Sequence, residues 1–101
     1  MTQEPAITDE RGDHRFVYRA DGAEAQLVYR RNGKRLILVH TEVPDELGGR
    51  GIGGRLVQAA VDVARAYSWT IVPWCPFARK WLENHPDNVD GVVIDWSEPP
   101  A

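Results

Sequence analysis

Val43-Pro44-Asp45-Glu46-Leu47-Gly48-Gly49-Arg50-Gly51-Ile52-Gly53-Gly54-Arg55-Leu56 decides how the rest of the chain is read. An extended apolar run, Leu36 to Val39, leads into it, and a helical apolar period leaves it. A strand, a glycine-rich turn and a helix in that order make a phosphate cradle. Glycines let backbone N–H groups approach an anion, and a helix start offers unpaired donors with partial positive charge. Arg50 and Arg55 add full charges at the same place.

Spacing separates the kinds of phosphate loop. Gly49-x-Gly51-x-x-Gly54 satisfies the bare dinucleotide fingerprint, which also wants an acidic residue about 20 positions on to hold a ribose hydroxyl. From Ser68 to Leu82 there is no Asp or Glu, so that reading is weak. Gly49 to Gly54 also has P-loop spacing, but Arg55-Leu56 follows where Lys and Ser/Thr are needed. No side chain there serves Mg²⁺, and that reading fails.

Gly48-Gly49-Arg50-Gly51-Ile52-Gly53 resembles the acetyl-CoA loop of the GNAT N-acetyltransferase superfamily, Arg/Gln-x-x-Gly-x-Gly/Ala opening a helix. Gly48 stands where that family has Arg or Gln. The wider stretch from His40-Thr41-Glu42-Val43-Pro44 through Gly54, followed by Cys75-Pro76-Phe77, is similar to the small single-domain bacterial subgroup, over residues 14–94. The resemblance implies acetyl-CoA as cofactor, held by Val43, Gly48, Gly49, Arg50, Gly51, Ile52, Gly53, Gly54 and Arg55. It also implies a gap between two splayed parallel strands for the pantetheine arm. The acceptor is an unidentified amine or thiol, on a small molecule or a protein. The usual family chain is longer, with N-terminal helices around the acceptor site for which this sequence has no room.

One domain is expected from 101 residues, long enough to bury ~60–70% of its unfolded surface in a single core. A net charge of −3 argues against a broad basic footprint for nucleic acid. The lone cysteine cannot form an internal disulfide, the N-terminus is polar, and no apolar run approaches membrane-spanning length. These point to a cytoplasmic protein.

Residues 1–13 read as a flexible tail, 14–96 as the folded domain and 97–101 as a second tail. Extended patterns cover His14–Ala20, Ala23–Arg31 and Arg35–Val43, joined at Asp21-Gly22 and Asn32-Gly33, which suit tight hairpins. In the helix after the loop, Ile52, Leu56, Ala59, Ala60, Val63 and Tyr67 form the apolar stripe. Trp69–Trp74 reads as a short buried strand, Pro76 opens a helix over Phe77–Glu83, and Gly91–Trp96 as an edge strand. The fold class is α/β: a minimal GNAT-like fold, with a mixed, mostly antiparallel sheet and about two helices.

Three residues are candidates for chemistry, and none is assigned to a metal. Cys75, before Pro76, falls at a helix start whose dipole favours a thiolate; a lone cysteine is also commonly a small buried hydrophobe. His40 and Glu42 alternate along a strand, share a face, and either suits a general base. The family's tyrosine acid on the later helix has no counterpart, since Phe77 and Trp81 are the aromatics there. The leading function is therefore acetyl transfer. A non-catalytic acyl-CoA-binding or sensing module is the alternative.

Overall fold

The hairpin turns show how directly local chemistry sets the sheet in the computed structural model, which describes residues 6–100. Strand β2 (Arg15–Ala20) pairs antiparallel with β3 (Ala23–Asn32) through Ala20 and Ala23. The two turn residues, Asp21 and Gly22, both have positive φ, 54° and 74°. Asn32 pairs with Arg35, the first residue of β4 (Arg35–Glu42), so the second turn is Gly33-Lys34, one residue later than expected. Gly33 takes the positive φ, 61°, at the first central position, where a two-residue hairpin commonly places glycine. Beyond β4, a 3-10 turn (Asp45–Leu47) and the glycine loop lead into α1 (Ile52–Tyr67). The chain returns through β5 (Thr70–Pro73), parallel to β4, and closes with α2 (Pro76–Asn84).

The sheet order is β1-β2-β3-β4-β5, and β1 (Thr8–Glu10) corrects the reading of residues 1–13 as a tail. Thr8 to Glu10 pair with Val17 to Arg15, and a 3-10 turn (Arg11–Asp13) reverses the chain. Besides its backbone ladder, this edge carries a cluster of charge pairs. Glu10 meets Arg15 and Arg19 at 2.9 Å each, and both arginines also reach Glu24 at 3.0 Å. Single-sequence patterning misses such cross-strand pairs because each residue alone reads as solvated. Met1–Pro5 lie outside the described residues. At the other end, Gly91–Trp96 gives a single parallel bridge between Ile94 and Ile71, not a full strand. Of the segment expected as a tail, Ala101 lies outside the described residues, while Arg79 donates to the carbonyls of Trp96 and Ser97 and lies 3.9 Å from the Glu98 carboxylate.

Hydrogen bonding from Arg19 is the largest effect on the Glu10 carboxyl; burial opposes it, and with the further help of Arg15 the group is held below its ordinary range. A depressed carboxylate pKa contributes stability above the unfolded value, lost as pH falls through the folded one. Melting temperature is therefore expected to fall on acidification from about pH 5 downward, and Glu10→Gln should flatten that limb. An unchanged acid limb in Glu10→Gln would show that the network contributes nothing to the edge.

The core lies between one sheet face and the two helices. Phe16, Leu27, Leu36, Leu38, Leu47, Leu56, Ile71 and Leu82 are its largest fully buried members. Helix α1 buries a broader stripe than the period indicates: Val57, Val61 and Ala64 join Ile52, Leu56 and Ala60. The cause is that α1 is covered by the sheet and by α2 together. Tyr67, expected on that stripe, is half exposed and stacks on Trp69 at 4.8 Å. No helix among the described residues is long and apolar enough to cross a membrane.

Candidate functional site

The site starts where β4 loses a neighbour. Pairing of β4 with β5 runs from Arg35–Thr70 to Leu38–Pro73 and stops. The Cys75 N–H then bonds the Leu38 carbonyl at 2.8 Å, turning the chain into α2. From His40 to Glu42, β4 is paired with β3 alone. A bulge at the same level makes β4 step from Leu38 to His40 while β3 steps from Tyr29 to Val28. Bulges bend a strand and end its pairing, and they concentrate beside active sites. The β5-side edge of β4 beyond Leu38, where no strand pairs with it, is called the notch below.

At the top of the notch the chain makes the glycine loop. Gly49 and Gly51 both sit in the left-handed region, with φ of 76° and 71°. Gly51 is the N-cap of α1, and no side chain caps the helix. The first bond of α1 runs from Arg55 N–H to Gly51 C=O, leaving the N–H groups of Ile52, Gly53 and Gly54 ahead of the ladder. An uncapped helix start behind two left-handed glycines is a ready anion seat. Gly48 has ordinary extended φ, and a Cβ there would lie 3.2 Å from the Asp45 carbonyl oxygen, a tight contact with backbone.

The remaining members of the motif have different duties. Arg50 is tied to the hairpin turn, 2.7 Å from Asp21, and it also donates to the Glu46 carbonyl. The Arg55 guanidinium lies 5.2 Å from the centre of the Tyr18 ring. A Cβ on Gly53 would come within 2.7 Å of the Phe77 ring, and one on Gly54 within 2.5 Å of the Trp81 indole nitrogen. These two glycines thus admit the aromatic side chains of α2, a role the motif alone does not reveal. Phe77 remains half exposed beside the loop. Val43, half-buried, follows β4 into the loop.

The three candidates for chemistry divide between the two faces of β4. Thr41 pairs with core-facing Leu27, and its Oγ1 lies 3.3 Å from Cys75 Sγ. Cys75 caps α2 as expected, yet it is only 4% exposed, so its sulfur faces protein. His40 and Glu42 lie opposite Val28 and Gln26 on the other face, with His40 Nε2 3.4 Å from Glu42 Oε2. Gln26 donates to the same carboxylate at 3.5 Å. His40 and Glu42 are thus brought together and solvent-accessible; Cys75 is separated from them by the strand.

A family model described as GCN5-related N-acetyl-transferase matches residues 15–91. Protein NATD1 of Gallus gallus is 34% identical over 83 residues, covering 79% of this chain and 76% of that protein. Protein NATD1 of Homo sapiens shares the same identity, covering 79% and 74%. Among solved structures, the solution NMR structure of a GCN5-like protein from Staphylococcus aureus superposes with a TM-score of 0.71 at 32% identity. It covers 96% of this chain and 94% of that one. The mixed five-stranded sheet with two helices is the fold expected of that group, and the chain belongs to the GCN5-related N-acetyltransferase family, whose members are acyltransferases.

Proposed function

We propose that this protein takes the acetyl group of acetyl-CoA and passes it to an amine. The observation that carries this is the uncapped start of α1 behind Gly49 and Gly51, which the chain reaches directly from the end of β4 that β5 leaves unpaired. The N–H groups of Ile52, Gly53 and Gly54 would receive the pyrophosphate, with Arg50 as an outer charge. The unpaired edge of β4 up to Val43 would lie along the pantetheine arm. The amine nitrogen attacks the thioester carbonyl carbon, the C–S bond breaks, and CoA leaves as the thiolate, which takes a proton from solvent. The amine's proton passes to the His40–Glu42 pair, the exposed proton acceptors beside the notch.

Direct attack suits the burial of Cys75 better than an acetyl-cysteine route. Glu42→Gln is expected to lower kcat by about 10²–10⁴, the usual worth of a general base, with acetyl-CoA affinity unchanged. Cys75→Ala should retain transfer, losing roughly 1 kcal/mol of stability as ordinary core truncations do. An acetyl adduct on Cys75 by intact mass, with transfer lost in Cys75→Ala, would reverse the assignment.

A non-catalytic acyl-CoA-binding module is the second reading, favoured by Phe77 and Trp81 on α2 where the resemblance implies a tyrosine acid. Calorimetry with acetyl-CoA, CoA and NAD, followed by CoA-release assays on a panel of amines, separates the two. Acetyl-CoA binding with no release on any amine supports the module; NAD binding without acetyl-CoA binding would defeat both.

A further inference from the structure

At the end of the sheet remote from the glycine loop lies a partly open cavity of about 130 Å³ that neither the loop nor the notch explains. Its place follows from the topology. Leu36, near the start of β4, lines it together with Val63 from the second half of α1. Phe16 completes an apolar floor, and all three belong to the core or pack on it. The rim is cationic and aromatic. The Arg31 guanidinium lies 3.6 Å from the centre of the Trp69 ring, and Arg11 lies 5.6 Å from that of Tyr67, which stacks on Trp69.

The charges of this rim are unevenly spent. Asp9, its acidic member, is occupied on both oxygens: Tyr29 donates to Oδ1 at 2.6 Å and Arg11 Nε to Oδ2 at 3.3 Å. Burial, and then this bond, push the Tyr29 phenol above its usual pKa, so it stays a donor to Asp9. Arg31 gives one N–H to the Gly33 carbonyl, and Arg11 gives two, to Asp9 and Tyr67. Each guanidinium carries five N–H donors, so both keep donors for a ligand.

We propose that this cavity is a second ligand site, for a compact carboxylate with an apolar body. The hydrocarbon part enters between Phe16, Leu36 and Val63, and the carboxylate receives hydrogen bonds from Arg11 and Arg31 at the rim. Size fits the body, since an engineered apolar cavity of about 150 Å³ takes up benzene. Charge fits the head, because planar guanidinium and carboxylate match in geometry, while an ammonium would meet two cations.

The test is an NMR titration of the full chain with benzoate, and with benzyl alcohol and benzylamine as ring-matched controls. Benzoate is expected to shift the Trp69 indole N–H and the Leu36 and Val63 amides saturably, leaving the amides of residues 49–54 unmoved. Arg31→Gln, an exposed change that spares the core, should weaken benzoate by about tenfold, the worth of one charged hydrogen bond. Val63→Phe should block it by filling the floor. Absence of saturable shifts, shifts centred on residues 49–54, equal binding of either control, or undiminished affinity in Arg31→Gln would each overturn the proposal.

Discussion

Replacing Gly51 with valine is expected to abolish acetyl-CoA binding while the sheet and both helices remain folded. A Cβ at this position meets nothing within 4 Å, so the obstacle is conformational and not steric. Gly51 holds φ at 71°, where an L-residue costs roughly 1–2 kcal/mol and a β-branched one more. The chain relieves that strain by rotating the peptides on either side, which turns the N–H groups of Ile52 and Gly53 away from a common point. A melting temperature lower by roughly 5–15 °C should accompany the loss, since each kcal/mol is worth about 4–8 °C in a domain this small. Arg50→Ala should behave differently. Its guanidinium is exposed and shared with Asp21, so affinity should fall by less than about tenfold, and the deficit should shrink as salt rises. Calorimetry at two ionic strengths, beside thermal melts, reads all of this. Wild-type affinity in Gly51→Val would remove the backbone cradle from the proposed function.

What could be read from the chain alone was whatever a short window determines. Asp21-Gly22 announces a hairpin because its φ requirement is local, and Pro76 opens α2 for the same reason. Leu36 to Leu38 announce a central strand because both faces are apolar, and all three are buried. Features that depend on distant partners stayed hidden. Thr8–Glu10 looks like a polar tail until Arg15, Arg19 and Glu24 are set beside it. His40 and Glu42 share a face by alternation, as expected. That Cys75 lies across the strand from them required the pairing of Leu27 with Thr41. The Trp69 cavity could not be anticipated, because its walls come from four strands, α1, the first turn and the link from α1 to β5, and its aromatic residues read equally well as packing. In the glycine motif, composition suggested one purpose for every glycine, whereas the fold gives Gly51 a backbone duty and Gly54 a packing duty.

That division makes Gly54→Val the most informative stability variant. A Cβ at residue 54 would lie 2.5 Å from Trp81 Nε1 and 3.2 Å from Cδ1, closer than packed atoms approach. Trp81 has little room to yield: it stacks on His85 at 4.2 Å, and the His85 ring nitrogen Nδ1 is held 2.7 Å from the Trp81 carbonyl oxygen. Overpacking of this kind costs about 1–3 kcal/mol, and the gain in helix propensity over glycine offsets only part of it. Melting should therefore fall by roughly 5–15 °C. Gly53→Ala is the control, because the Phe77 ring it would meet is half exposed and can swing into solvent; its melting should stay near that of the wild type. Pairing Gly54→Val with Trp81→Ala should give a double variant more stable than the sum of its parts, since removing the indole removes the clash. Acetyl-CoA binding in Gly54→Val, measured well below its melting transition, should persist, because φ at this position is ordinary and the N–H stays in place. Normal melting combined with lost binding would show that the missing Cβ of Gly54 makes room for the ligand and not for Trp81.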